Sequence, residues 1–188
     1  MKSYRTFIGL PVKVSERFLE ARQELMESLS GERISWVDPD RYHITLRFIG
    51  KTDINAIDQI GKALGEKVNI PQRSHVSLTQ TGSFGPRKKP RVIWIGLEHT
   101  TIFESLKDDV DRVLQSCGIP SVDGPFRAHL TLGRVRSLKD LNGYYETVSK
   151  MEDRFKEFIL LDKLVFYRSE LGNGGPVYIP LCQMEFQD

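Results

Sequence analysis

Residues 39–46 read PDRYHITL, and residues 125–132 read PFRAHLTL. Pro, Arg, His, Thr and Leu recur at matching places, and Ile44 stands where the second copy has Leu130. In an extended strand, alternate side chains share a face. Arg41, His43 and Thr45 then point one way, and Ile44, Leu46 and Phe48 point the other. Arg127, His129 and Thr131 are set against Leu130 and Leu132 in the same manner. Each string therefore reads as a strand with one apolar face for a core. Its other face carries a base, a hydroxyl and a cation.

The surroundings repeat as well. FIGL begins at Phe7 and WIGL at Trp94, each a similar distance ahead of its His-x-Thr. A β-rich stretch over 4–10 is followed from Ser15 by a helical stripe of Phe18, Ala21, Leu25 and Leu29, stopped by Gly31. The strand over 42–50 leads to Asp53, placed to cap a helix carrying Ile57, Ile60 and Leu64 and ending near Gly65. A further strand covers 75–85. The order then restarts with a strand over 91–98. Thr101 and Glu104, at capping-box spacing, precede a helix with Leu106, Val110, Val113 and Cys117, stopped by Gly118. The strand over 128–136 follows, and Ser137 with Asp140 starts a helix through Leu141, Tyr145 and Val148. Final strands over 155–171 and 177–186 are parted by the turn-rich GNGGP of 172–176.

This is a β-α-β-α-β unit written twice, with repeats of about 1–88 and 89–188. The period is far too long for a solenoid. It predicts one α+β domain over 1–188, bilobal and pseudo-twofold, with a cleft where the two polar strand faces meet.

Composition limits the functions open to such a cleft. The chain has 188 residues, enough for a substantial core. Its 27 basic and 25 acidic residues leave a net charge of only +2, too weak for coating nucleic acid by bulk electrostatics. The densest basic run is GPRKKPR over 85–91, between the repeats, where it can border the cleft and meet an RNA backbone. No stretch approaches a membrane span, and the N-terminal apolar run is too short for a signal segment. Cys117 and Cys182, the only cysteines, lack metal-type spacing and read as reduced thiols. These features predict a cytoplasmic protein without a membrane partner, and a monomer.

Two histidines across a small anionic site suit general acid–base chemistry, because histidine titrates near neutrality. A neutral imidazole takes a proton while a charged one gives one, each transfer typically adding about 10²–10⁴ in rate. Threonine hydroxyls can hold phosphate oxygens, and an arginine can meet the charge that builds on them. A strained five-membered cyclic phosphate could then be opened by in-line attack of water. Zinc is the weaker reading, since the repeat supplies threonine and arginine rather than further metal ligands, and no HExxH or CxxC stands nearby. No cofactor motif is present. His75 and His99 fall outside the repeat and read as surface or packing residues. Phe48, Phe84, Phe126 and Tyr167 are candidates to stack a base, although for Phe48 the core is the better reading.

HITL at 43–46 and HLTL at 129–132 resemble the paired HxTx motifs of the two-histidine (2H) phosphoesterases. The resemblance is closest to the RNA 2′,3′-cyclic phosphodiesterase branch, also called 2′-5′ RNA ligase. It extends through RTFIGLPV, ISWVDPDRYHITLRFIG, GSFGPRKKPRVIWIGLE, GPFRAHLTLGRVR and LVFYRSEL, nearly the whole chain. It implies a bilobal fold with antiparallel sheets lining a central groove and helices outside. It also implies metal-independent hydrolysis of RNA or nucleoside 2′,3′-cyclic phosphates to 2′-phosphomonoesters, with reversible 2′-5′ ligation at the same site. By this resemblance His43 is the general acid on the leaving 3′-oxygen and His129 the base for water. Thr45 and Thr131 bind the phosphate. An arginine five positions after the second histidine, here Arg134, lies close to that phosphate. Simple alternation puts Arg134 on the wrong face unless Gly133 permits a β-bulge, whereas Arg127 has the right parity without one. A non-catalytic binder of nucleotides or RNA ends, or a diesterase for ADP-ribose cyclic phosphate, is the alternative.

Overall fold

The computed structural model describes residues 2–98, 101–122, 124–172 and 175–188. In chain order they form β1 (Ser3–Pro11), α1 (Glu16–Ser28), β2 (Arg33–Trp36), β3 (His43–Asp53), α2 (Ile54–Lys67) and β4 (Ser74–Phe84). There follow β5 (Val92–Leu97), α3 (Thr101–Ser116), β6 (His129–Ser137), α4 (Leu141–Lys150), β7 (Glu157–Leu161), β8 (Lys163–Gly172) and β9 (Gly175–Glu185).

The helices form where their caps and stripes dictate. The Ser15 hydroxyl accepts the Phe18 amide at 3.2 Å, and Phe18, Ala21 and Leu25 of α1 are buried. Asp53 accepts the Asn55 amide at 2.8 Å to open α2, which buries Ile57, Ile60 and Leu64. On α3, Leu106, Val110 and Val113 turn inward, and Gly118 follows with φ of 80°. Thr101, expected as the cap, stands in α3 itself, and residues 99–100 before it lie outside the described residues. Asp140 caps α4 through the Gly143 amide, while Ser137 ends β6. Here the buried pair is Tyr144 and Val148, and Tyr145 is only half-buried.

All strands pair antiparallel in one sheet of order β7-β4-β5-β6-β3-β1-β8-β9, with the short β2 added along β6. The two quartets, β6-β5-β4-β7 and β3-β1-β8-β9, are mirror sequences about the centre. They interleave the repeats: β4 leaves the first repeat to pair with β5, and β8 joins β1. The quartets meet at one register pair, Ile44 with Leu130, the equivalent residues of the two repeated strings. Ile44, Leu46, Leu130 and Leu132 are buried with the helix stripes in one core. The opposite face of the sheet carries the histidines.

Both central strands carry the same irregularity. Opposite β1, Ile8 pairs with Arg47 and Gly9 with Thr45, so Leu46 is the extra residue. Opposite β5, Ile93 pairs with Gly133 and Trp94 with Thr131, so Leu132 is the extra residue. Each bulge reverses the face of the residues that follow it, in β3 as far as a second irregularity at Ile49. Phe48 therefore does not join the core. It is 49% exposed, with the Arg5 guanidinium 5.3 Å from its ring centroid. Arg47 turns inward instead, its guanidinium donating to the Pro120 carbonyl and lying 3.4 Å from Asp111, which pins the segment leading towards β6 against β3.

Gly9 lies beneath the first histidine strand. A Cβ there would sit 2.7 Å from the Ile44 carbonyl oxygen, on the backbone that forms the central seam. Gly9→Ala forces β1 from β3 and is expected to cost about 1–3 kcal/mol. Thermal unfolding checks this; an unchanged midpoint would mean that the seam yields freely.

Candidate active site

β3 and β6 share their Ile44–Leu130 pair and then diverge, and β2 fills the far edge of β6 by pairing Trp36 with Gly133. A cavity of about 440 Å³ opens over this seam, within the usual range for small-ligand sites. His43, Thr45, His129, Thr131 and Arg134 all line it. The bulge at Leu132 brings Arg134 to the histidine face. Gly133 also accommodates β2: a Cβ there would approach the Trp36 ring and Ile34 to 3.0 Å.

Arg127 does not line this cavity. β6 begins only at His129, so strand alternation does not govern Arg127, which lies in the preceding loop and lines an adjoining space with Thr45, Phe84, Phe126 and His129. Its counterpart Arg41, in a 3-10 turn over Pro39–Arg41, does reach the cavity and donates to the Pro176 carbonyl at 3.0 Å. Of the remaining histidines, His75 is exposed on β4, and His99 lies outside the described residues.

The two imidazoles are held alike. His43 Nδ1 is 2.8 Å from the Arg41 carbonyl, and His129 Nδ1 is 2.7 Å from the Arg127 carbonyl. A carbonyl only accepts, so each Nδ1 carries a proton and donates it. Nε2 is then the nitrogen left to exchange a proton in both rings. Aromatic rings fix the imidazole planes: Phe7 (4.9 Å) and the edge-on Tyr178 (5.1 Å) at His43, and Phe84 edge-on at His129 (4.8 Å). Phe84 in turn stacks on Trp94, and Phe7 on Tyr167.

Burial pushes both histidines below their ordinary pKa, opposed by the carbonyl bonds and reinforced by the positive charge of Arg134. For His43 the neighbouring His129 lowers it further. One guanidinium thus disfavours the charged form of both imidazoles. A bound phosphate would oppose this effect. Among the described residues, no group of three or more His, Cys, Asp or Glu side chains is placed to hold a metal ion.

Tyr178 was not singled out by the sequence, nor were Ser35, Trp36 and Arg136, which also line the cavity. Tyr178 comes from β9, the end of the quartet remote from the seam, and nothing local in GPVYIPL signals its approach to His43. Only the repeat itself could have flagged a ring for His43 to match Phe84 at His129.

A sheet that presents the same His-x-Thr face twice across a pseudo-twofold seam is the architecture of the two-histidine phosphoesterases. A family model described as LigT like Phosphoesterase matches residues 8–94 and 98–178, and the chain belongs to that family. It is 33% identical to an RNA 2′,3′-cyclic phosphodiesterase of Aquifex aeolicus over 95% of each chain. It is 29% identical to one of Thermotoga maritima, over 97% of this chain and 96% of that one. Its fold is similar to that of E. coli LigT complexed with 3′-AMP, with a TM-score of 0.69 over the whole of both chains at 16% identity.

Proton transfer through this pair has a defined pH signature. One imidazole must be neutral and the other protonated, so kcat/KM follows a bell centred on the mean of the two free-enzyme pKa values. Both lie below 6.5. The maximum of kcat/KM is therefore expected on the acid side of pH 6.5, falling above it as the acid loses its proton. A pH–rate series checks this, and a maximum at pH 8 contradicts it.

Proposed function

We propose that the protein hydrolyses RNA or nucleoside 2′,3′-cyclic phosphates to 2′-phosphomonoesters by general acid–base catalysis through His43 and His129. The observation that carries this reading is the matched pair of Nδ1-anchored histidines facing one cavity across the seam. The names of the Aquifex and Thermotoga relatives support the same substrate class.

The cyclic phosphate sits between the two imidazoles. Water on the His129 side loses a proton to Nε2 as its oxygen bonds to phosphorus. The P–O3′ bond breaks on the opposite side, and protonated His43 delivers its Nε2 proton to the leaving oxygen. The 2′-phosphate and a free 3′-hydroxyl result, and proton exchange with solvent resets the pair. Which histidine is the acid follows the family resemblance. The incoming anion raises the pKa of His43 against the burial that depresses it, so substrate loads its own acid. Thr45 and Thr131 donate to non-bridging oxygens, and Arg134 meets the charge that accumulates there. With a 5′-hydroxyl end attacking in place of water, the same displacement would form a 2′-5′ linkage, and its reverse would cleave one.

Both histidines, both threonines and Arg134 belong to one copy of the chain, so the proposed reaction requires no residue from a second. Cys117 and Cys182 are free thiols, which supports a reducing, cytoplasmic setting. Among the described residues no helix is long and apolar enough to cross a membrane.

The direct test is phosphorus NMR of a nucleoside 2′,3′-cyclic phosphate incubated with purified protein and EDTA. The 2′-phosphate is the expected product. His43→Ala and His129→Ala should each lower kcat/KM by about 10²-fold or more. An activated diester with a 4-nitrophenolate leaving group, which needs no acid, should restore most of the loss in His43→Ala but not in His129→Ala. Full activity of either variant on the cyclic nucleotide would falsify the two-histidine mechanism, and tight binding without turnover would make the cavity a binding module.

Arg134→Ala should lower kcat by about 10²–10³-fold, as for loss of a donor to a developing oxyanion. Arg127→Ala, outside the cavity, should cost far less. Steady-state kinetics on one substrate rank the two arginines, and the reverse order would return the phosphate role to Arg127.

A further inference from the structure

The two carbonyls that fix the histidine tautomers are held very differently. The Arg41 carbonyl leaves a 3-10 turn, in which the Arg41 amide donates to the Asp38 carbonyl at 2.9 Å and the Tyr42 amide to the Pro39 carbonyl at 3.1 Å. The next carbonyl, of buried Tyr42, accepts the Val12 amide at 2.9 Å just past the end of β1. The Arg127 carbonyl has no such frame. It lies near the end of the segment between α3 and β6, where residues 120–122 and 124–127 make no backbone-to-backbone hydrogen bond among the described residues. Phe126 is partly buried against the core. Apart from the bond to His129 itself, one hydrogen bond among the described residues fastens this stretch, donated by the Arg47 guanidinium to the Pro120 carbonyl.

Stability does not account for Arg47. The residue is only 5% exposed. Its Nε lies 3.4 Å from Asp111 Oδ1, and neither of these atoms, nor Arg47 Nη1, makes a hydrogen bond among the described residues. Asp111 already has a closer cation, Lys107 Nζ at 2.6 Å. A buried guanidinium so sparsely partnered is at best neutral against an apolar side chain of its size. What an apolar residue at 47 would lack is the donor to Pro120. The repeat makes the same point, since the equivalent residue on β6 is Gly133 and that strand folds without a cation there. β3 thus carries His43 on one face and, four residues on, the anchor of the His129 segment on the other.

We propose that Arg47 is a positioning residue for His129: it holds the segment before β6 against β3, so that the Arg127 carbonyl stays on His129 Nδ1. Its effect on the reaction rests on the reading of His129 as general base. With the carbonyl in place, the proton sits on Nδ1, and Nε2 keeps the lone pair that takes a proton from water. With the segment released, the neutral ring divides between its two tautomers, and the Nε2–H form cannot accept that proton. His43 has its own frame and keeps its tautomer. Loss of Arg47 therefore disables one partner of the pair and leaves Thr45, Thr131 and Arg134 in the cavity, so the defect falls on kcat rather than KM.

The experiment reads the tautomers directly, by long-range ¹H–¹⁵N NMR of the histidine rings at about pH 8, where both are neutral. Signals are assigned by their loss in His43→Ala and His129→Ala. Wild type should show the Nδ1–H form for both rings. In Arg47→Met the two His129 nitrogen shifts should converge as the tautomers mix, while those of His43 stay. Arg47→Met leaves Asp111 without its guanidinium and can lower stability. Arg47→Met/Asp111→Asn removes both charges, keeps a hydrogen-bond acceptor for Lys107, and should return the melting midpoint towards wild type. The mixed His129 tautomer should persist in it. In both variants kcat on cytidine 2′,3′-cyclic phosphate should fall at least about tenfold, with KM changed less than about twofold. An unchanged His129 in both variants overturns the proposal, as does an equal change at His43. A change that disappears in the double variant overturns it too, because it then follows stability. Mixed tautomers with an unchanged kcat reject the role in the reaction. If wild type turns over no cyclic nucleotide, the hydrolase reading fails, and the spectra alone decide whether Arg47 positions His129.

Discussion

The two halves of the sheet touch at one register pair, Ile44 with Leu130, and the site depends on how little more they share. A longer β3–β6 ladder would zip the polar faces side by side and leave no room between the histidines. A looser junction would let them drift, and proton transfer needs geometry held within hydrogen-bond reach. Three features hold the strands at this spacing. Ile44 and Leu130 are buried together in the core. The Leu46 and Leu132 bulges turn each strand after the shared pair. β2 occupies the edge of β6 that β3 has vacated, with Trp36 over Gly133.

The same arrangement sets the protonation of the site. Both histidines donate Nδ1 to the carbonyl of the residue two positions earlier, so backbone geometry fixes the tautomer without a carboxylate partner. A carboxylate would have stabilised the imidazolium and raised both pKa values. Carbonyl dipoles do so only weakly, and burial with Arg134 prevails, leaving both rings low. Two mainly neutral imidazoles and a fixed guanidinium form a cavity that gains most from an anion. A negative charge bound between the rings would favour protonation of an imidazole over the neutral pair.

Much of this was legible in the sequence because it is periodic. The stripes of α1, α2 and α3 are buried as the 3.6-residue spacing requires, and the doubled string located both histidines and both threonines. Alternation failed where the backbone is not an unbroken strand. It put Phe48 inside, although the bulge at Leu46 turns it out. It favoured Arg127, although β6 starts two residues later. The bulge admitted at Gly133 is present one residue earlier, at Leu132, and has the same effect on Arg134. Four-residue β2 gave no periodic signal, because its only reason to be extended is a β6 edge left open by β3. Tyr178 was likewise invisible, for its approach to His43 depends on β8 and β9 crossing to the first repeat's strands.

Duplication by itself would yield a symmetric site, and a symmetric site would bind phosphate with two identical hands. The departures from symmetry make the two sides of the cavity differ. Position for position, Arg134 matches Phe48, so a single guanidinium reaches the cavity while its counterpart is an exposed ring beside Arg5. Gly133 matches Arg47, so one strand yields to β2 while the other anchors the segment after α3. Arg41 enters the cavity and is drawn to Asp38 and the Pro176 carbonyl, whereas Arg127 stays out among aromatic rings. The cations of the β3 side are thus offset, Arg47 by Asp111 and Arg41 by Asp38, while among the described residues Arg134 on the β6 side forms no ion pair. Asp38 and Asp40 thus stand on one side of the histidine pair and the basic hairpin between β4 and β5 on the other, a charge asymmetry that duplication of the string would not by itself produce.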